Sequence, residues 1–436
     1  MNLTARLDPV LAIAGEHARD VDADARFPEE AVAALRESGL LGLTLPVEAG
    51  GLGGGPHELV EVLGALAGIC GSTAMIYLMH VSAAMAVAAG PPPGLPDLVA
   101  DLAGGRFLGS LAFSEAGSRS HFWAPVSRAG LNGAGVRLNA AKSWVTSAGH
   151  ADVHIVSTLT ADADGVDLFA VPASTPGVEV AGRWRGMGLR GNASSPMTFD
   201  VEVPESYRVG AAGAGLDLML QTVLPWFNLG NAAVSVGLSR AAVDAAVRHA
   251  SAARLEHLNE SLSALPTIRA RLARMSIELA CTAAYLTQGA GRLVEPREDT
   301  MLHVLGVKAA ANDAALRTTE SAMRVCGGAA FSEHLQIDRY FRDARAGHVM
   351  APTADVLYDF YGKAITGQPL LRASRPPRRR SRHHRPADRG FGRLHSQRGH
   401  HLGGNPRLLR RQPSRDGFRA LLQLRAPGGR TASGHH

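Results

Sequence analysis

Between residues 106 and 209 the hydrophobic period of the chain changes, and this change limits the fold more than any other feature of the sequence. Met197, Phe199, Val201 and Val203 are apolar, and Thr198, Asp200 and Glu202 between them are polar. A period of two marks a half-buried strand, ended here by Pro204. Residues 153–159 and 167–171 read as shorter strands between Gly- and Asp-rich turns. On either side the period is helical. Phe27-Pro28-Glu29-Glu30 opens a helix with proline in the first turn and acids at the positive end of the dipole. Ala31, Val32 and Leu35 give that helix an apolar stripe, and Gly39 closes it. Residues 57–89 supply two more helices before Pro91-Pro92-Pro93 breaks the chain.

Downstream, residues 234–250 and 268–286 are helical, with Pro266 at the boundary between them. Leu302, Leu305, Ala309, Leu316 and Met323 share one face of a long helix. Asp313 with Arg317, and Glu320 with Arg324, have the spacing of i,i+4 ion pairs on its exposed side. Residues 338–362 provide a fourth helix. The predicted fold class is therefore α+β. It consists of an N-terminal helical domain (1–108), a central small β-barrel domain (109–209), a C-terminal four-helix bundle (210–371) and a disordered tail (372–436).

At 436 residues the chain exceeds a single core, which agrees with several packed units. Its formal net charge of +6 is misleading as a sign of nucleic-acid binding. The tail holds about 17 Arg and no Lys against Asp388 and Asp416, roughly +15, which leaves roughly −9 on the body. An acidic body offers no general surface for a phosphate backbone, so no nucleic-acid partner is expected for it. The fold is expected to be complete before the tail. Cys70, Cys281 and Cys326 are far apart and form no CxxC pair, consistent with reduced thiols and a cytoplasmic protein. The acidic first 30 residues do not resemble a signal peptide. The most apolar stretch, 74–89, is interrupted by His80 and short for a bilayer, so a buried helix and no membrane contact are expected. The glycines at 50–55 are not followed by lysine and form no phosphate-binding loop.

Three segments carry the chemistry. Residues 111–120, LAFSEAGSRS, leave an apolar run for small hydroxyl residues, with Gly117 admitting a close backbone approach. Residues 138–147, LNAAKSWVTS, and 186–204, GMGLRGNASSPMTFDVEVP, follow in order. Together they resemble the middle domain of the acyl-CoA dehydrogenase flavoprotein family, with its T-E-P-x-A-G-S-D, K-x-W-I-T and G-x-R-x-S…F-x-x-V-x-V-P segments. The resemblance extends over roughly residues 1–370.

This resemblance implies FAD as cofactor. By position, Phe113 and Ser114 would contact the pyrimidine side of the flavin ring, Trp144 would cover a face and Thr146 would bond its edge. Ser120 would lie near the pyrophosphate or a substrate thioester. Residues 324–331, RVCGGAAF, resemble the family's Q-x-x-G-G-x-G-Y/F segment. They imply that Arg324, Gly327 and Gly328 reach the FAD of a neighbouring subunit in a homodimer or homotetramer. Read from the residues alone, the two glycines could equally end a helix. Arg342-Asp343-Ala344-Arg345 matches the family's R-D-A-K/R signature without a gap. Two departures stand beside these matches. Arg324 replaces the usual Gln, and the R-K-x-F-G segment is replaced near residues 253–257.

A third departure concerns the base. Counting forward from Asp343, the family's Y-E-G-T becomes Met350-Ala351-Pro352-Thr353, and Ala351 cannot accept the α-proton. The family's alternative position, on the first helix of the bundle, reads Trp226-Phe227-Asn228. Asp355, His348 and His121 are candidate substitutes, and Glu115 is expected to be structural. Three functions follow. The first is an FAD-dependent oxidoreductase desaturating an acyl thioester of CoA or an acyl carrier protein, with a non-standard base and electron-transfer flavoprotein or another flavin acceptor or reductase as partner. The second is a flavin-dependent monooxygenase on the same fold, and the third a non-catalytic flavin-binding paralogue.

Overall fold

The computed structural model describes residues 2–118, 121–133, 135–163 and 165–370, and the tail expected after 371 lies outside them. Five helices come first: α1 (Leu3–Ala23), α2 (Glu29–Glu37), α3 (Pro56–Ile69), α4 (Gly71–Ala89) and α5 (Leu98–Ala103). Seven strands follow: β1 (Gly109–Ala112), β2 (Gly130–Asn132), β3 (Gly135–Val145), β4 (Val153–Leu159), β5 (Val166–Pro172), β6 (Val178–Val180) and β7 (Ser195–Pro204). A short helix α6 (Gly215–Leu218) leads through one π-helical turn, Met219–Val223, into α7 (Leu224–Ala252). A two-residue hairpin, β8 (Arg254–Leu255) and β9 (Glu260–Ser261), separates α7 from α8 (Pro266–Val294). The chain continues through α9 (Thr300–Cys326), α10 (Ile337–Val349) and α11 (Ala354–Ile365).

The expected small β-domain is built from two sheets. One has the order β1-β4-β5, the other β2-β3-β7-β6. Isolated bridges between Glu115 and Lys142 and between Arg128 and Leu159 tie their edges together. Phe199, Val201 and Val203 of β7 meet Val136, Leu138, Val156, Phe169 and Val171 in the core between the sheets, which explains the alternation in the sequence. The other face of β4 and β5 packs through Ile155 and Leu168 onto Ala83, Val87 and Leu102 of the N-terminal helices. A third core joins α3 and α4 to α7 and α9. By length and composition α4 could span a membrane, but 78% of its span is buried inside the fold, as a core helix is.

Two sequence expectations require correction. The helix expected over 338–362 is two helices, α10 and α11, separated at Met350–Thr353. Pro352 has no N–H for an intrahelical bond, and its ring disfavours helical geometry at Ala351. The pair Asp313–Arg317 does not form. Arg317 Nε reaches across to Glu278 Oε1 of α8 at 2.6 Å, and Asp313 accepts from the Tyr358 hydroxyl at 2.7 Å. Tertiary partners prevail over the weak intrahelical pair.

His80 joins the first two domains. Gly109 N–H at the start of β1 donates to its Nδ1 at 3.0 Å, so the proton sits on Nε2, which donates to Leu41 O at 3.0 Å. Burial lowers the pKa of His80 to about 4, and it does the same to His154, which lies edge-on to Phe199. Both values lie below the unfolded value near 6.5, so between pH 6.5 and 4 the unfolded chain binds more protons than the folded one. Stability contributed by these residues is therefore constant above pH 6.5 and is lost as pH falls toward 4. His154 has no hydrogen-bond partner in the fold, so His154→Leu removes the titration without removing a bond. Urea unfolding across this window should show the variant losing on the order of 3 kcal/mol less than the parent.

Candidate active site

A cavity of about 960 Å³ opens where the three domains meet. Its wall is formed by the end of β1, the end of β3, the loop before β7 and one face of α10. Phe113 is buried at the end of β1 and stacks on Phe122 with ring centroids 6.2 Å apart. The carbonyl of Ser114 accepts from Ser143 N–H at 2.8 Å, joining the end of β1 to the end of β3. There the pairing of β3 with β7 shifts between Lys142 and Val145, and Trp144 adopts φ +57°. This irregularity turns the Trp144 ring out of the sheet, 65% exposed, against Trp184 at 5.9 Å. Thr146 is buried, with its hydroxyl 3.0 Å from that of Ser194.

These segments are held by one buried ion pair. Lys142 Nζ donates to Glu115 Oε1 at 2.5 Å and to Ser157 O at 2.6 Å. Glu115 also accepts from the backbone N–H groups of Val126 and Ser127, each at 2.7 Å, and from the Ser127 hydroxyl. Burial alone would raise the Glu115 carboxyl, but Lys142 and Ser127 outweigh it and hold the group below the usual range. All of its acceptor capacity is engaged, so Glu115 is structural, as the sequence suggested.

On the opposite wall, the signature at 342–345 acts as a latch. Asp343 is buried, its pKa raised by burial to about 6, and its Oδ1 accepts from Leu189 N–H at 2.6 Å. Arg342 grips Asp22 of α1 through two nitrogens, at 2.8 and 2.5 Å, and also bonds Asp338. Gly188 fits because an added Cβ would lie 2.5 Å from the Arg342 backbone. Below this latch, Lys308 of α9 is buried and donates to the carbonyls of Gly347, Met350 and Pro352 at 3.2, 3.1 and 2.8 Å. Burial lowers its pKa to about 7. Three acceptors match the three donors of an ammonium and fix the turn that brings Ala351 to the cavity.

Family models match nearly the whole described fold. They are the N-terminal domain of acyl-CoA dehydrogenase over residues 12–91, its middle domain over 110–201 and its C-terminal domain over 213–366. The chain belongs to the acyl-CoA dehydrogenase family. It is 28% identical over 347 residues to the probable acyl-CoA dehydrogenase YngJ of Bacillus subtilis (strain 168), covering 78% of this chain and 90% of that one. It is also 28% identical over 360 residues to the cyclohex-1-ene-1-carbonyl-CoA dehydrogenase of Geobacter metallireducens, covering 81% and 93%. The butyryl-CoA dehydrogenase structure from Megasphaera elsdenii superposes with a TM-score of 0.77 at 23% identity, covering 84% of this chain and 99% of that one.

The acyl-CoA dehydrogenase fold brings Phe113, Ser114, Trp144 and Thr146 to one cavity, as their positions implied. Ser120 lies outside the described residues. Arg324, Gly327 and Gly328 are not brought there. They are exposed at the end of α9, where Gly327 (φ +54°) terminates the helix. None of the substitute bases lines the cavity. Asp355 is exposed on α11, His348 faces Asp313 at 3.3 Å, and His121 is exposed beside Trp123. Phe227 lines the cavity, and Asn228 is turned to Val304 O at 3.1 Å. Among the described residues, the only carboxylate in the lining is Glu115.

The residues present fit a flavin. Asn192 lines the cavity, is 1% exposed, and has both amide atoms without a hydrogen-bond partner. The neighbouring Ser147 hydroxyl is also buried and unpartnered. Trp144 offers an exposed ring face, and Ser114, Thr146 and Ser194 bring hydroxyl groups to the lining, as a planar polar ligand requires. Sequence reading missed Asn192, Ser194 and Lys308. The first two sit in a polar run, GNASS, that reads as a turn, and an isolated Lys on a helix reads as surface.

Glu115→Gln should leave the Lys142 ammonium buried without its counter-charge. Urea unfolding of this variant should show a loss of about 3–5 kcal/mol, with most of it recovered in Glu115→Gln/Lys142→Met.

Proposed function

We propose that the protein is an FAD-dependent oxidoreductase acting on the CH–CH bond of an acyl thioester carried by CoA or an acyl carrier protein. The observation that carries this reading is a cavity lined by both hydroxyl- and amide-bearing residues and large apolar ones. Ser114, Thr146 and Ser194 supply polar groups, and Met75, Met79 and Phe227 supply apolar surface suited to an acyl chain. When bound, FAD supplies a two-electron acceptor for hydride from the β-carbon. Trp144 would cover a face of the ring and Thr146 would bond its edge, while the apolar walls would exclude water. Proton transfer is the unusual step. Position 351 carries a methyl group, and a positioned base contributes about 10²–10⁴-fold.

The absence of an unpaired carboxylate among the described lining residues favours a second reading, a flavin-dependent monooxygenase. The two readings part on anaerobic mixing of holoprotein with a panel of acyl thioesters. Bleaching of the flavin without added reductant supports the oxidoreductase. Reduction only by an external reductase, followed by an oxygen adduct, supports the monooxygenase. Under the first reading, electrons pass to electron-transfer flavoprotein or another flavin acceptor. Ala351→Glu/Pro352→Gly should then speed thioester-dependent flavin reduction more than Ala351→Glu alone. A double variant that binds both ligands normally yet reduces no faster would count against that reading.

We also propose a homodimer or homotetramer in which Gly327 and Gly328 approach the FAD of a second copy. Within one copy, a Cβ added at Gly328 would meet nothing within 4 Å. Gly328→Val should therefore change unfolding stability by no more than about 0.5 kcal/mol while lowering flavin content. Full flavin occupancy would remove these glycines from the cofactor site.

A further inference from the structure

The body of the chain carries a net charge of about −9, yet the segment joining β6 to β7 has the opposite sign. Residues 181–194 hold Arg183, Arg185 and Arg190 and no Asp, Glu or Lys. This segment forms part of the cavity wall, through Trp184 and Met187 among others. Arg183 and Arg185 flank Trp184, are exposed, and bond to nothing among the described residues. Arg190 is half-buried, and its bond runs to a neutral group, Ala23 O, at 3.2 Å. On the opposite wall Arg345 bonds only the Thr319 hydroxyl and the Phe341 carbonyl. The carboxylates that reach these walls are already held, Asp22 and Asp338 by Arg342 and Glu115 by Lys142.

The basic segment is fixed in place. Trp184 Nε1–H donates to Leu189 O at 2.9 Å, Leu189 N–H donates to Asp343, and Gly191 N–H donates to the Ser72 hydroxyl at 3.1 Å. A Cβ at Gly186 would lie 2.2 Å from Trp184 Cζ2, so glycine lets the ring fold back over its own loop. Apolar surface stands beside the charges. Met187 is 58% exposed and Val349 of α10 is 69% exposed, and both belong to the cavity lining. Arg, Met and Trp together are the residues enriched at protein interfaces. Arg183 and Arg185 lie outside the lining, so they serve what stands over the mouth rather than what sits inside it.

We propose that this rim docks a small acidic protein that carries its acyl group on a phosphopantetheine arm. The inference rests on the acyl-thioester reading and selects the carrier within it. An acidic helix laid across Arg183, Arg185 and Arg190 would meet charges that no carboxylate neutralises among the described residues. The arm would then enter the cavity past Met187 and Val349. The charge pattern also serves encounter. An acidic body repels an acidic partner, and a local basic rim therefore orients its approach. Because the segment is already fixed, little ordering is required on docking. The nucleotide of CoA, a small group, calls instead for a concave site that buries it.

The test titrates fluorophore-labelled hexanoyl acyl carrier protein with purified holoprotein and follows anisotropy. Binding should weaken tenfold or more as salt rises from about 0.05 M to about 0.3 M. Arg183→Glu/Arg185→Glu should weaken it by a similar factor, and Arg183→Gln/Arg185→Gln by less. Affinity for hexanoyl-CoA, flavin content and oligomeric state should match the parent in both variants. Exposed side chains without partners leave folding unaffected when replaced. No binding by the parent, or equal binding by the charge-reversed variant, overturns the inference. An equal loss of hexanoyl-CoA affinity assigns the arginines to the CoA nucleotide and also overturns it. A changed oligomer does the same, by assigning them to a contact between copies. The thioester reading fails separately, if no member of the acyl-thioester panel perturbs the flavin spectrum of the parent.

Discussion

The latch at Arg342 and Asp343 is the contact on which the rest of the site depends. One side chain reaches back to α1 through Asp22, and the next holds the loop before β7 through Leu189 N–H. Three domains separated in sequence are thereby fixed at one point. The cavity is the space left beside that point, since its walls come from all three domains. Burial makes the latch strong in both senses. A carboxylate away from water keeps its bond to an N–H, and it becomes costly if that bond is lost.

The ion pair of Lys142 and Glu115 does for the β-domain what the latch does for the interface. It joins β3 to the segment after β1 and gathers the 126–127 backbone onto the same carboxylate. The Trp144 irregularity begins immediately after Lys142, so the ring is displayed from a fixed point. Rigid support beneath an exposed aromatic residue is what a stacking platform requires.

Much of this was legible in the sequence, for reasons that can be assigned to residues. The alternation at Met197–Val203 reported the strand because both sheets bury the same face of it. Phe113, Ser114, Trp144 and Thr146 were legible through the resemblance, because the segments that carry it lie at the ends of β1 and β3. The division of α10 from α11 was obscured by apolar periodicity running past Pro352, although proline chemistry indicated it. The exchange of Arg317 from Asp313 to Glu278 depended on how α8 packs, which no local spacing encodes. Asn192 and Ser194 were hidden in a polar run, since their place in the cavity wall exists only once the loop before β7 is folded. Arg324, Gly327 and Gly328 lie away from the cavity, at the end of α9.

The turn at Met350–Pro352 is gripped by Lys308 entirely through backbone carbonyls. Those carbonyls are present whatever side chain occupies position 351. The scaffold at this place is therefore uncoupled from the identity of the group it presents. A change of side chain at 351 therefore removes none of the three bonds that Lys308 makes to the turn. The shape of this turn is thus written in α9, in a residue more than 40 positions away from the side chain it displays.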